Sequence, residues 1–353
     1  MNTAIIYSDQ YLNHKTGLGH PESPSRLRFI MDGVMESGIL ESGRCSLIKP
    51  KTAKLNDLKL IHKTEYISLV RELCKSGGGM LDDGDTILSE ESFTVAQLAI
   101  GGAIKAVDEV MTHKFRNAFA LIRPPGHHAS EDHAMGFCIF NNVAAAAAHL
   151  LERYNLENVL ILDIDAHHGN GTQEIFYSTS RVLYVSLHQD PRGFPNSGFI
   201  DEVGVGDGLG YTVNIPLPIN CGDPPYWKAL KYIVKPISEE YDPQFILVSA
   251  GFDGYYGDPV AELSLSAHLY LKIFDLILEL ADRLCGGRLV AILEGGYKLR
   301  FLKLIVPLVI AKMAGFDGFR IRDRRPPLNY EAIEKAEKIL EDVIFIQSSF
   351  WSL

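Results

Sequence analysis

The segment LILDIDAHHGNG, residues 160–171, places carboxylate and imidazole side chains directly after an apolar run. Asp163, Asp165 and His167 alternate along it, so an extended chain would put their side chains on one side. Carboxylates and an imidazole can bind Zn²⁺ or Fe²⁺ together, whereas a carboxylate pair buried without a cation is costly. The spacing therefore predicts that Asp165 and His167 bind one metal ion.

Three other apolar runs also end in residues that can do chemistry. AFALIRPPGHHA leads to His127 and His128, FILVSAGFD to Asp253, and LVAILEGGY to Glu294 and Tyr297. Asp253 would be a third metal ligand, the paired histidines a general base and acid, and Tyr297 a donor to an oxyanion. Taken singly, each residue could be a turn, capping or core residue. Four strand ends together predict one convergent site.

The runs that precede these residues predict the fold. They are apolar without alternation, which is typical of strands buried on both faces of a parallel sheet. Six such runs are TAIIY, AFALI, NVLILD, RVLYVSL, QFILVSAGFD and RLVAILEGGY. Segments with helical periodicity and capping signals separate them, which predicts βαβ units and helices on both faces of the sheet. Ligands of such sheets bind at the carboxyl ends of the strands, where the four clusters fall.

Composition and charge narrow the class of protein. The 353 residues are 46% hydrophobic and 22% charged, as in a globular protein. The net charge of −10 and the lack of a basic stretch predict no direct nucleic-acid binding. Five scattered cysteines, no signal peptide and no membrane-spanning run predict a cytoplasmic protein without membrane contact. We expect one domain over residues 1–353 with a helical tail at about 327–353, and the oligomeric state stays open, a homo-oligomer included.

Seven motifs together resemble those of the histone deacetylase superfamily, in the same order and over roughly residues 1–316. They are GHPESPSRL, RPPGHHA, GFCIFNN, DIDAHHGNGTQ, VSLHQ, SAGFDGYYGDP and EGGY. The forms RPPGHHA and HHGNG are similar to class II deacetylases and to acetylpolyamine amidohydrolases. The resemblance implies an arginase-like, three-layer α/β/α fold whose mostly parallel central sheet has about eight strands. It also implies a metal-dependent amidohydrolase that removes acetyl or related acyl groups from lysine side chains and releases acetate.

The resemblance implies a zinc ion, with Fe²⁺ as the alternative in the cell, and groups that act on the substrate beside it. The implied zinc ligands are Asp165, His167 and Asp253. The implied catalytic groups are His127, His128 and Tyr297, of which the tyrosine polarises the acyl carbonyl.

Two further residues would position the histidines. Asp163 would orient His127. Asn170 stands where class I enzymes carry an aspartate, and it would bond to His128 without adding negative charge, which makes His128 less basic. His168, the second histidine of the segment, is left without a catalytic role.

The resemblance also implies a structural potassium ion and a substrate tunnel. The potassium ligands would be Asp163, Asp165, His167, Ser186 and the main-chain oxygen of Leu187. Phe137 and Phe194 would form the aromatic walls of an acyl-lysine tunnel, and the carbonyl of Gly136 would meet the substrate.

The choice of substrate stays open between two classes. Val260 follows the GDP turn, where a polyamine-specific relative carries glutamate and lysine deacetylases usually carry leucine, so it favours acyl-lysine. The stretch LDDGDTILSEES could instead attract a cationic chain or be a solvated loop; its acidic residues are Asp82, Asp83, Asp85, Glu90 and Glu91. An acetylated lysine peptide is therefore the predicted substrate, and an acetylated polyamine or other small acylated amine is the alternative. A deacetylase of the acetoin-utilisation type is also open.

Three other functions fit the sequence less well. An arginase-like ureohydrolase would need two manganese ions, and the residues after His167 lack an aspartate for the second. A non-catalytic acyl-lysine-binding protein would be expected to have lost a metal ligand or Tyr297, and all are present. A Cys138 nucleophile has no histidine beside it in the sequence.

Overall fold

The computed structural model describes residues 2–82, 84–317 and 321–353. Its strands are β1 Thr3–Ile6, β2 Cys45–Ile48, β3 Gly78–Met80, β4 Ile87–Ser89, β5 Asn117–Ala120, β6 Val159–Asp163, β7 Val182–Gln189, β8 Thr212–Leu217, β9 Phe245–Ala250 and β10 Leu289–Leu293. Its helices are α1 Ser25–Glu36, α2 Leu55–Leu58, α3 Thr64–Lys75, α4 Ser92–Met111, α5 Asn142–Arg153, α6 Asn170–Phe176, α7 Asp223–Ala229, α8 Lys235–Tyr241, α9 Ala267–Cys285, α10 Leu299–Met313 and α11 Tyr330–Gln347.

Eight strands form one sheet in the order β2-β1-β5-β10-β9-β6-β7-β8, and every pairing in it is parallel. Strands β3 and β4 form a separate antiparallel hairpin. Helices α4 and α5 pack on each other and on the central strands, and α9 and α10 form a second packed pair on the sheet, joined by α1. The predicted three-layer α/β/α fold is therefore confirmed.

The six strands predicted from apolar runs occupy the middle of the sheet, and the two that the sequence did not reveal are its edges. Edge strand β2 is partly exposed, and Leu47 within it is 40% exposed. Edge strand β8 contains Asn214 and Pro216, and proline is tolerated at a sheet edge because it removes one ladder donor. Neither strand carries the apolar run of a central strand.

The four strands whose ends carry the candidate chemistry are neighbours: β5, β10, β9 and β6. The register of the sheet aligns the ends of these strands. Asp163 at the end of β6 lies opposite Ser249 of β9, and Leu293 at the end of β10 lies opposite Ala250 at the end of β9. Parallel strands bring all four carboxyl ends to one edge of the sheet. The fold thus places the four sequence clusters beside one another.

Helix α11 packs on β8 and α7 and occupies the stretch where a tail helix was expected. No helix in the described ranges combines the length and the apolar character needed to cross a membrane.

A buried ionic cluster ties α1 to the loop after β5. The side chain of Arg123 donates from Nε to Glu22 Oε1 at 2.6 Å and from an Nη to Oε2 at 2.8 Å, and Arg26 donates to Oε1 at 3.2 Å. Although burial opposes ionisation, the guanidinium groups of Arg123 and Arg26 lower the pKa of Glu22 to about 2. Arg26 also donates to the carbonyl of Gly296 at 2.7 Å, so the cluster reaches the loop after β10.

Replacing Glu22 with glutamine should destabilise the fold by about 3–5 kcal/mol, because two buried guanidinium groups lose their counter-charge. Urea unfolding at pH 7 measures this change. The control is Glu36→Gln, whose carboxylate is 65% exposed and pairs with Lys303 at 2.6 Å; we expect a loss of about 0–1 kcal/mol there. In the wild type, the folded pKa of Glu22 lies below the ordinary value of 4.5, so its contribution persists above that pH and is lost towards pH 2. Equal losses in the two variants would refute the role of the cluster.

Candidate metal centre and catalytic pocket

Asp165, His167 and Asp253 form a buried cluster whose potential ligand atoms lie within 4.8 Å of one another. Nδ1 of His167 lies 2.9 Å from Asp253 Oδ2 and 3.4 Å from Asp165 Oδ1. Backbone donors hold the other oxygens: the N–H of Ala166 donates to Asp253 Oδ1 at 2.9 Å, and the N–H of Gly295 donates to Asp165 Oδ2 at 2.8 Å. In each carboxylate, a backbone N–H group therefore holds one oxygen and fixes the orientation of the side chain.

The residues of this cluster fit a divalent cation. Two carboxylates and an imidazole suit Zn²⁺ or Fe²⁺ and leave a coordination position open. Burial and the neighbouring Asp165 raise the pKa of Asp253 to about 7, which reflects the cost of two adjacent buried negative charges that a cation would offset. A Cβ at Gly251 or Gly295 would come within 2.1 or 2.5 Å of Asp165 Oδ2, so only glycine leaves room for this carboxylate.

The chain does not stay extended after Asp163, so the condition for Asp163, Asp165 and His167 to share one face is not met beyond that residue. Strand β6 ends at Asp163. The N–H of Asp165 donates to Asp163 Oδ1 at 3.1 Å, and the N–H of His167 donates to Asp165 Oδ1 at 2.9 Å. Such local side-chain bonds turn the backbone. They direct Asp165 and His167 towards Asp253, and these three residues form what we call the metal-ligand cluster, a candidate site, while Asp163 faces the histidine pair.

His127 and His128 lie side by side, with ring centroids 4.0 Å apart, but they have different partners. His127 Nδ1 lies 3.0 Å from Asp163 Oδ2, and His128 Nδ1 lies 2.8 Å from the amide oxygen of Asn170. Burial lowers the pKa of His127, but Asp163 and Asp165 outweigh it and raise that pKa to about 10. Burial and the adjacent His127 lower the pKa of His128 well below its usual range. Of the two rings, His127 is therefore the more basic.

A narrow pocket of about 170 Å³ opens onto these groups. Its lining comprises Asp85, His128, Gly136, Phe137, His167, Phe194, Val260 and Tyr297. Ring centroids of Phe137 and Tyr297 are 5.7 Å apart, and those of His128 and Phe194 are 5.0 Å apart. The four residues predicted to contact substrate, Gly136, Phe137, Phe194 and Val260, all lie in this lining.

Two residues of the pocket lining have unusual surroundings: Phe137 through its backbone conformation and Tyr297 through its burial. Phe137 has φ 67°, a left-handed conformation that is strained for a phenylalanine, and the preceding Gly136 has φ 55°. A Cβ at Gly136 would come within 2.5 Å of the His128 ring. Burial raises the pKa of Tyr297 well above its usual value, so the hydroxyl remains a donor, and Arg26 lies 4.9 Å from its ring.

The residues predicted to bind potassium come from the end of β6, the turn that follows it, and the neighbouring strand β7. Ser186 of β7 lies opposite Asp163 of β6 in the sheet register, and Leu187 follows it. The hydroxyl of Ser186 lies 2.8 Å from Nδ1 of His188. The hydroxyl of Tyr184 donates to Asp163 Oδ2 at 3.1 Å, a contact that the sequence did not indicate.

The sequence places Glu294 after an apolar run without indicating its role, and the structure supplies one. Its Oε2 accepts from the N–H of Gly126 at 2.6 Å and from the N–H of His127 at 3.2 Å. Glu294 therefore holds the backbone of the histidine loop. Cys138 has no histidine beside it in the sequence, yet the fold brings it close to His127 and Glu294. Burial raises the pKa of its thiol well above the usual value. A neutral thiol is a poor nucleophile.

His168 does not line the pocket but contacts the segment 190–202, which carries the lining residue Phe194. It is fully buried, and its Nδ1 lies 3.0 Å from Ser197 Oγ while its Nε2 lies 3.0 Å from Gln173 Oε1. The neighbouring His188 contacts the carbonyl of Gly198 through Nε2 at 2.9 Å. These bonds anchor the segment 190–202, which carries Phe194.

The acidic stretch contributes one residue to the pocket. Asp85 lies in the lining, whereas the carboxylate of Asp82 accepts from the N–H groups of Asp85 and Thr86 at 2.9 Å each and so shapes a turn. Glu90 and Glu91 are exposed outside the pocket lining. Asp83 lies outside the described residues.

Three comparisons with known proteins each find similarity to deacetylases. Residues 20–313 match the family model described as histone deacetylase domain. A probable deacetylase of Archaeoglobus fulgidus is 42% identical, over 99% of this chain and 99% of the relative. Histone deacetylase 15 of Arabidopsis thaliana and polyamine deacetylase HDAC10 of Homo sapiens are each 36% identical; the alignments cover 99% and 93% of this chain but only 63% and 49% of those longer proteins. The crystal structure of the HDA15 HD domain has a TM-score of 0.88 at 36% identity and covers 99% of this chain and 95% of that one.

Replacing His168 with alanine should loosen the segment 190–202, because Ser197 loses its bond to a buried ring, while Gln173 Oε1 keeps its bond from Asn214. Hydrogen exchange followed by mass spectrometry should show faster exchange in this segment and unchanged rates in the central strands. The control is His149→Ala, which removes a partly exposed bond to Asp108 of 2.8 Å. Unchanged exchange over 190–202 would show that His168 does not anchor the wall.

Proposed function

The chain belongs to the histone deacetylase family, and on that premise we propose that it hydrolyses the amide bond of acylated lysine side chains with a bound zinc ion. One observation supports this most directly: the pocket between Phe137 and Phe194 leads to Tyr297, His128 and the metal-ligand cluster. A pocket of about 170 Å³ with aromatic residues in its lining suits an unbranched alkyl chain that delivers its terminal amide to the floor. The products would be acetate, or a related acid, and a free lysine amine.

We propose that zinc binds Asp165, His167 and Asp253, with Fe²⁺ as the competing metal. When bound, the ion would act as a Lewis acid on the acyl carbonyl and make a water molecule a better nucleophile. We further propose a structural potassium ion held between the ends of β6 and β7. Its ligands would be Asp163, Asp165, His167, Ser186 and the main-chain oxygen of Leu187.

His128 is the proposed proton carrier. The Nδ1–H of His128 donates to the amide oxygen of Asn170, which leaves Nε2 of His128 with a lone pair. The lowered pKa of His128 keeps its ring neutral. The ring can therefore take the proton of the attacking water and later give it to the departing amine, so that the proton count balances. His127, held by Asp163 with a raised pKa, stays protonated and contributes positive charge beside the developing oxyanion.

Tyr297 is the proposed donor to the carbonyl oxygen. Its hydroxyl lies in the pocket lining and stays protonated because burial raises its pKa. A donor fixed before the reaction stabilises an oxyanion more than a neutral carbonyl, which lowers the barrier. The aromatic walls Phe137 and Phe194 keep water away from these groups and strengthen the electrostatic effect.

An acetylated polyamine or another small acylated amine is the alternative substrate. Asp85 in the pocket lining favours a cationic substrate, whereas the apolar Val260 in the same lining offers no charge to a second ammonium group. A relative named as a polyamine deacetylase is 36% identical to this chain, the same identity as one named as a histone deacetylase. Sequence identity to these relatives therefore does not decide between the two substrate classes. Measuring the turnover of both substrates by one preparation does decide.

Replacing Tyr297 with phenylalanine should lower kcat about 100- to 1,000-fold on an acetyl-lysine peptide, because an oxyanion donor is lost. Acetate release measures turnover, and elemental analysis of the same preparation should show unchanged metal content. The control is Tyr154→Phe, which removes a hydroxyl bond to Asp108 of 2.8 Å away from the pocket. Full activity of Tyr297→Phe would rule out this role.

Replacing Gly295 with alanine should remove the metal, because the new Cβ would lie 2.5 Å from Asp165 Oδ2 and 2.7 Å from Asp253 Oδ2. We expect one zinc ion per wild-type chain by elemental analysis, loss of activity with a chelator, and recovery on adding Zn²⁺. Gly193→Ala is the matched control, since a Cβ there meets nothing within 4 Å. Two tightly bound manganese ions per chain would instead favour a ureohydrolase.

A further inference from the structure

A second cavity, of about 740 Å³, adjoins the pocket and shares His167, Phe194 and Val260 with it. We call it the side groove. The side groove runs from the pocket to α11, which contributes Lys335, Lys338 and Ile339 and lies outside the residues 20–313 that match the family model. Its volume is within the range of about 300–1,000 Å³ typical of ligand clefts, whereas the pocket of about 170 Å³ has room only for a side chain.

We propose that the side groove binds the polypeptide that flanks the acyl-lysine, with an apolar side chain along its floor and a basic side chain near Glu262. This proposal rests on the proposed function, because the acyl-lysine in the pocket brings the flanking chain to the groove. The site therefore selects acylated proteins or peptides over free acylated polyamines.

The apolar lining of the side groove comes from four separate parts of the chain. Phe194 follows β7, Ile219 follows β8, Val260 follows β9, and Ile339 belongs to α11. Ile219 is 47% exposed, although isoleucine is usually buried. A peptide side chain placed there would remove this surface from water, at about 25 cal/mol per Å². A thin polyamine would leave most of it exposed.

The groove lining carries three cations and two carboxylates, so a basic partner residue is favoured beside the one lining carboxylate that forms no ion pair in the described part of the chain. The groove cations already have carboxylate partners: Lys335 pairs with Glu331 at 2.7 Å, and Lys338 pairs with Glu334 at 3.2 Å. Arg192 donates from Nε to Asp190 at 2.8 Å. Glu262 is exposed and forms no ion pair with the described part of the chain, so it is the groove charge that remains available.

The test compares three substrates: acetyl-lysine with both ends blocked, the same acetyl-lysine in a peptide with flanking leucine and arginine residues, and N-acetylated spermidine. In the wild type, the peptide should have the highest kcat/KM. Ile219→Ser should lower the ratio of peptide to blocked acetyl-lysine about tenfold through KM, because one apolar contact is lost. Glu262→Gln should lower this ratio about two- to fivefold, and less at high salt, because the pair is exposed.

Matched controls are Leu60→Ser and Glu72→Gln, an exposed leucine and an exposed glutamate that do not line the side groove. Both should keep the wild-type ratio. An unchanged ratio in Ile219→Ser and Glu262→Gln would overturn the groove as a peptide site. Preference for acetylated spermidine, reduced in Glu262→Gln, would assign the groove to polyamines instead.

Turnover of blocked acetyl-lysine reports on the proposed function alone, since this substrate does not reach along the groove. If zinc-loaded protein turns over none of the substrates, the deacetylase proposal fails. Fluorescence anisotropy of the labelled acetylated peptide then tests the groove directly. Weaker binding by Ile219→Ser than by Leu60→Ser would still support the groove, and equal binding would refute it.

Discussion

The electrostatic cost of burying Asp165 and Asp253 side by side governs the organisation of the site. Each carboxylate lies at a strand end, where backbone N–H groups are free to donate, and Ala166 and Gly295 supply these donors. Such bonds offset part of the desolvation cost, and His167 with a cation would offset the rest. The glycines at 251 and 295 follow from the same constraint, because any larger residue would occupy the space of the Asp165 carboxylate.

A second consequence is the division of charge between the two histidines. The negative field of Asp163 and Asp165 falls on His127, whereas His128 faces the neutral amide of Asn170. Two protonated rings with centroids 4.0 Å apart would repel each other, so protonation of one keeps the other neutral. Asn170 thus holds His128 through a neutral partner, whereas a carboxylate holds His127, and of the two rings only His127 has a raised pKa.

Most of the central fold and the contents of the site could be predicted from the sequence, because buried parallel strands are apolar throughout and end in the chemical residues. The edge strands β2 and β8 could not, since Leu47 of β2 is partly exposed and β8 contains Asn214 and Pro216. Roles that depend on contact between distant loops were also hidden. The bonds from Glu294 to the histidine loop and from His168 to Ser197 join residues whose proximity no local pattern records.

Contacts between the loops also limit which residues of the site can change without loss of stability. Glu22, Arg123 and Arg26 connect the loops that carry His127 and Tyr297, so a change at the floor would disturb the buried ion pairs as well as the chemistry. The outer residues Ile219 and Glu262 are exposed and form no such links in the described ranges. They can change at little cost to the fold. On the proposed binding of the flanking chain, we therefore expect substrate preference to be altered more readily in the side groove than at the metal-ligand cluster.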